Sequence, residues 1–131
     1  MSYLRLPLFS CAVPCGFPSP ADDYVETTLD LNELVITHQA ATFYIRVSGD
    51  SMQQAGISAG DILVVDRALP PAHRDIVVAL LDGEFTVKRL HRTGRTTYLL
   101  PANPAYAPMC VTEAMQFQVW GVVTYCLHRV K

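Results

Sequence analysis

The pair Asp82-Gly83, set between the apolar, β-branched runs 76–81 and 85–90, constrains this chain more than any other feature. The tightest hairpin turn needs positive φ at both central positions, and Asp-Gly supplies it at little steric cost. The same punctuation recurs. Residues 42–48 form a β-branched and aromatic run closed by Gly49-Asp50, and 62–66 follow Gly60-Asp61. Residues 96–100 stop at the first of three prolines (Pro101, Pro104, Pro108), and 117–127 form a last apolar run. Short runs at this spacing predict a mostly β domain of antiparallel strands rather than βαβ units. With 131 residues, 50% hydrophobic and 17% charged, the chain can bury one such core without metal or disulfide staples.

Ahead of that domain the pattern changes. The first twenty residues carry Pro7, Pro14, Pro18 and Pro20, which deny the backbone ladder donors and bias their neighbours toward extended conformations. Residues 1–40 are therefore read as a mobile N-terminal arm, flexible at Cys15-Gly16, and 41–131 as the β domain. Val25, Leu29 and Leu31 make no clean helical stripe, so the arm holds one short helix at most. Between Arg5 and Arg46 lie five acids and no cation, whereas Lys88, Arg89, Arg92 and Arg95 occupy 85–112 without an acid. These read as two solvated faces of opposite sign.

A net charge of −2 argues against direct nucleic-acid binding. No apolar run approaches the roughly 18 residues of a membrane span. The stretch 6–13 is interrupted by Pro7 and fits a signal peptide poorly, so a cytoplasmic protein is expected. Cys11, Cys15, Cys110 and Cys126 form no C-x-x-C pair, and no histidine stands at ligand spacing from them. They read as free thiols, with no metal and no cofactor expected.

The sharpest chemical signal is Ser48-Gly49-Asp50-Ser51-Met52 at the end of a strand. A serine on such a turn is held exposed, with backbone N–H groups beside it that can face an oxyanion. Taken alone, the tetrapeptide Gly49-Asp50-Ser51-Met52 is more often an ordinary turn. Ser51 also needs a base. His38, His73, His91 and His128 sit in no hydrolase signature and read as surface or half-buried side chains. Lysine is the alternative, and of ten cations only Lys88 and Lys131 are lysine. Arginine cannot release its proton in a protein, whereas a half-buried lysine can. Strand alternation puts Lys88 on one face with Thr86 and Leu90. A lone Lys88 is more simply a surface residue, but beside Ser51 it suggests a Ser-Lys dyad.

Three segments, Cys15-Gly16-Phe17-Pro18-Ser19-Pro20, Ser48-Gly49-Asp50-Ser51-Met52 and Asp82-Gly83-Glu84-Phe85-Thr86-Val87-Lys88, together resemble the LexA/UmuD family of self-cleaving Ser-Lys peptidases. The likeness runs from about Leu6 to the end, and Cys-Gly at the cut points to the UmuD branch. The resemblance implies curved antiparallel β-sheets behind an extended N-terminal arm. It implies Ser51 as nucleophile, unprotonated Lys88 as general base, an oxyanion hole from the Asp50 and Ser51 backbone N–H groups, and self-cleavage between Cys15 and Gly16. It further implies stimulation by RecA filaments on single-stranded DNA in the SOS response. The trimmed homodimer would then serve a UmuC-type Y-family translesion polymerase, with the replicative sliding clamp as a further contact. Only fifteen residues precede the expected cut, fewer than in longer family members.

Independently of the family, Gly16 leaves a scissile carbonyl unshielded, and the flanking prolines keep the strip extended. The competing reading is a non-catalytic interaction module of the same fold. A repressor would need a helix-turn-helix ahead of the arm, which fifteen proline-bearing residues are not expected to form. A signal peptidase would need a membrane anchor.

Overall fold

The computed structural model describes residues 4–9 and 25–131. The chain divides into two compact units, Met1–Thr37 and His38–Lys131. In the first, β1 (Leu6–Phe9) pairs antiparallel with β2 (Val25–Leu29), and a single-turn helix α1 (Leu31–Val35) follows. Asp30 caps that helix by accepting the Asn32 N–H at 3.0 Å. Pro7 is accommodated inside β1 because a two-stranded pair leaves an outer edge that requires no donor. The proline pattern hid this pairing from a reading of the sequence.

The second unit is one seven-stranded antiparallel sheet. Its strands are β3 (Thr42–Arg46), β4 (Ile62–Asp66), β5 (Ile76–Leu81), β6 (Glu84–Thr93), β7 (Thr96–Leu100), β8 (Met109–Val111) and β9 (Phe117–Leu127), in the spatial order β3-β4-β9-β5-β6-β7-β8. The mostly β, antiparallel expectation is borne out. Leu81 pairs with Glu84 across Asp82 and Gly83, whose φ values of 49° and 84° make the two-residue turn that Asp-Gly favours. Thr93 pairs with Thr96 across Gly94 and Arg95, a two-residue turn in which only Gly94, at φ 60°, takes positive φ, so β6 runs beyond residue 90 to Thr93. The short strand β8, among the prolines, was not anticipated.

β5 reads Ile-Val-Val-Ala-Leu-Leu without polar alternation because both of its faces are covered. Val78 joins Met52, Ile57, Leu63 and Val65 in one cluster, while Val77 and Ala79 join Leu90, Leu99 and Val122 in the other. β9 spans from β4 to β5 and carries an irregularity on each side: Val64 and Val65 pair with Tyr125 and Val123, and Val78 and Ala79 with Gly121 and Val119. Such bulges bend a strand and re-aim the extra side chain, here Thr124 and Trp120.

Gly121 sits at that bend. A Cβ there would lie 2.5 Å from Val65 Cγ1 and 3.3 Å from Arg67 Cγ. Val65 is fully buried, so the overlap cannot be relieved by turning into solvent. Gly121→Ala is expected to destabilise the domain by about 1–3 kcal/mol, measured as a lower urea midpoint with unchanged slope. An unchanged midpoint would show that the bend relaxes freely.

Candidate active site

The segment between β3 and β4 is built to present one hydroxyl. Val47 is pinned at both polar atoms, its N–H to the Asp61 carbonyl at 2.8 Å and its carbonyl to the Gly60 N–H at 2.9 Å. The chain then reverses through Gly49 at φ 83°, a left-handed conformation that favours glycine. Three residues later Met52 plunges into the first core cluster at 3% exposure, and Ile57 follows after a single 3-10 turn. Ser51, between the reversal and this plug, stays partly exposed in a cleft of about 480 Å³.

Lys88 reaches the same cleft from the middle of β6, where it pairs with Val77. Its Nζ lies 2.9 Å from Ser51 Oγ, 2.8 Å from Thr86 Oγ1 and 3.1 Å from the Val87 carbonyl. A neutral amine satisfies this set: two N–H bonds donate to Thr86 and Val87, and the lone pair accepts the Ser51 proton. Burial pushes the Lys88 amine below the ordinary lysine value, because removal of water penalises the ammonium. Among the described residues no carboxylate forms an ion pair with it.

The cleft walls are largely apolar, with Ile45, Val47, Val78, Phe85 and Trp120 facing it. Trp120, re-aimed by the β9 bulge, packs against Phe43 and Phe85 at centroid distances of 5.3 and 5.7 Å. The Arg67 guanidinium covers its ring at 4.5 Å and donates to its carbonyl at 2.8 Å.

The peptide unit joining Asp50 to Ser51 is held from its carbonyl side. That carbonyl accepts from Asn103 Nδ2 at 2.9 Å and from the Gln53 N–H at 3.2 Å. No cis peptide occurs among the described residues, so the Ser51 N–H points opposite to that carbonyl. The Ser51 carbonyl in turn accepts the Ala102 N–H at 2.7 Å.

Of the residues singled out by sequence, Ser51 and Lys88 are brought together and Asp50 flanks them. Cys15 and Gly16, the expected cut, lie outside the described residues, as does Cys11. None of the four histidines, all of them among the described residues, lines the cleft. His38 Nδ1 lies 2.6 Å from the buried Asp66 and His128 Nδ1 2.7 Å from the buried Asp61, while His73 and His91 stack edge to face at 4.8 Å. The His38 bond holds the Asp66 carboxyl below its usual range, and the Ser58 N–H does so first for Asp61. Cys110 and Cys126 are free thiols. Burial, together with the Asp61 carboxylate, pushes Cys126 up to about 11, so it stays a thiol. Thr86 was placed beside Lys88 by alternation, but Asn103, Tyr106 and Trp120 carried no sequence signal except the prolines bracketing Asn103.

Residues 7–124 match the family described as Peptidase S24-like. Protein ImpA of Salmonella typhimurium is 49% identical over 99% of this chain and 88% of its own length. Protein MucA of Escherichia coli is 42% identical, over 93% of this chain and 84% of its own. LexA repressor 2 of Pseudomonas syringae pv. tomato is 40% identical over 91% of this chain, which spans 58% of the repressor. Among the described residues no helix is long and apolar enough to cross a membrane.

Proposed function

The chain belongs to the Peptidase S24-like family of LexA and UmuD, and from that footing we propose that it is a UmuD-like serine peptidase that cuts its own arm between Cys15 and Gly16. The observation that carries the reading is the 2.9 Å approach of the Lys88 amine to the Ser51 hydroxyl in an apolar cleft. Lys88 takes the Ser51 proton as Oγ bonds to the Cys15 carbonyl carbon, and the Asp50 and Ser51 N–H groups receive the oxyanion. Collapse breaks the peptide bond, and the Lys88 ammonium returns its proton to the departing Gly16 amine. Water, activated by the same lysine, then hydrolyses the ester and frees Ser51.

In the wider reading, a RecA filament on single-stranded DNA stimulates this cut during the SOS response. Residues 16–131 then form a homodimer that serves a UmuC-type Y-family polymerase at lesions, with the sliding clamp as a further contact. Family membership supports this part.

Alkaline incubation of the purified chain, followed by intact mass, tests the chemistry without any activator. Loss of residues 1–15 is expected, with Ser51→Ala and Lys88→Ala remaining whole. A wild-type mass that stays constant while the protein is folded would favour a non-catalytic interaction module.

A further inference from the structure

We propose that Asn103 and Tyr106, on the loop between β7 and β8, are positioning residues that hold Asp50 by both its main chain and its side chain and so aim the Ser51 N–H at the oxyanion. The inference rests on the Ser51–Lys88 reading above and adds to it the loop that keeps the turn in register.

The geometry is a two-point clamp. Asn103 Nδ2 donates to the Asp50 carbonyl at 2.9 Å, and the Tyr106 hydroxyl donates to Asp50 Oδ1 at 2.6 Å. The backbone adds two further ties: the Ala102 N–H donates to the Ser51 carbonyl and the Gln54 N–H to the Ala102 carbonyl, both at 2.7 Å. The clamp is itself rigid for local reasons. Pro104 restricts Asn103 to extended backbone, Asn103 Oδ1 accepts the Ala105 N–H at 2.9 Å, and the Tyr106 N–H closes a turn on the Asn103 carbonyl at 3.1 Å. Ala102 packs against the first core cluster, which also holds Met52. The loop and the serine turn therefore share one foundation.

The consequence is chemical because the Ser51 N–H belongs to the peptide unit whose carbonyl Asn103 grips. Rotation of that unit would swing the N–H away from any oxyanion formed on Ser51 and leave the carbonyl to repel it. That rotation turns on Asp50 ψ and Ser51 φ, and the Asn103 and Tyr106 bonds oppose it. Neither side chain reaches Lys88 Nζ, whose hydrogen bonds go to Ser51, Thr86 and Val87. Loss of the clamp should therefore slow the reaction without changing the base.

The test is the pH profile of self-cleavage in the full chain, for wild type, Tyr106→Phe, Asn103→Ser, Asp50→Ala and the Asp50→Ala/Tyr106→Phe double variant. Tyr106→Phe removes one oxygen from a side chain that is 45% exposed, so folding is preserved. Asn103→Ser adds no charge, keeps a short side-chain oxygen that can accept the Ala105 N–H, and removes the amide donor. Each single variant is expected to lower the alkaline plateau about ten- to a hundredfold with the midpoint unmoved, and Tyr106→Phe should add nothing once Asp50 is alanine. Variants that cleave as fast as wild type would overturn the clamp and leave the dyad standing. A midpoint that rises toward free lysine as the rate falls would also overturn it, by showing a merely loosened cleft. A wild-type chain that never cleaves would overturn the dyad itself, and this inference with it.

Discussion

Lys88→Arg is expected to abolish self-cleavage at every accessible pH, a loss of about 10²–10⁴-fold or more. The variant keeps a long basic side chain but cannot give up its proton, since a guanidinium stays ionised throughout. The wild-type lysine differs because it lines a cleft shared with Val78, Val87 and Trp120 and, among the described residues, no carboxylate is paired to its amine. Burial penalises the ammonium and lowers its pKa. In the proposed mechanism the active form is the neutral amine, whose fraction grows as pH rises through that lowered value. The rate should therefore climb with pH and level off below the ordinary lysine value of about 10.4. Arm loss followed by mass across a pH series checks both statements. A bell centred near neutrality would point to a histidine, and measurable cleavage by the arginine variant would remove Lys88 from the base role.

Met52→Ala is expected to cost about 2–5 kcal/mol of stability and to shift the cleavage profile toward higher pH. Met52 is 3% exposed, packs with Ile57, Leu63, Val65 and Val78, and also lines the cleft beside Ser51. Its truncation opens space in the cleft that Lys88 also lines. Urea unfolding reads the first effect and the pH series the second. Unchanged stability would mean that the cluster collapses to fill the gap. A fixed midpoint would mean that Met52 anchors the serine turn without desolvating Lys88.

How much of this was legible beforehand depends on the range of the interactions involved. Asp82-Gly83 announced its hairpin because the turn is decided by two residues' own φ preferences, and the observed pairing of Leu81 with Glu84 follows. β9 was read with its full extent, 117–127, from its continuous apolar run. The pairing of β1 with β2 was not legible, since it joins a proline-bearing strip to a segment some twenty residues on and rests on contacts that no local pattern encodes. The same holds for β8, whose three residues become a strand only because β7 offers them a ladder.

By itself, the order of residues determined the antiparallel β class, the reversal at Gly49 and the candidacy of Ser51 and Lys88. Each of these follows from propensities and side-chain chemistry within a few positions. Only the tertiary structure decided that a hydroxyl and an amine 37 positions apart lie 2.9 Å from one another, that Trp120 faces the cleft, and that Asn103 and Tyr106 reach Asp50. Those placements come from sheet register, from the bulges in β9 and from the core beneath Met52. All three are sums over contacts between distant segments, and no short stretch of sequence contains them.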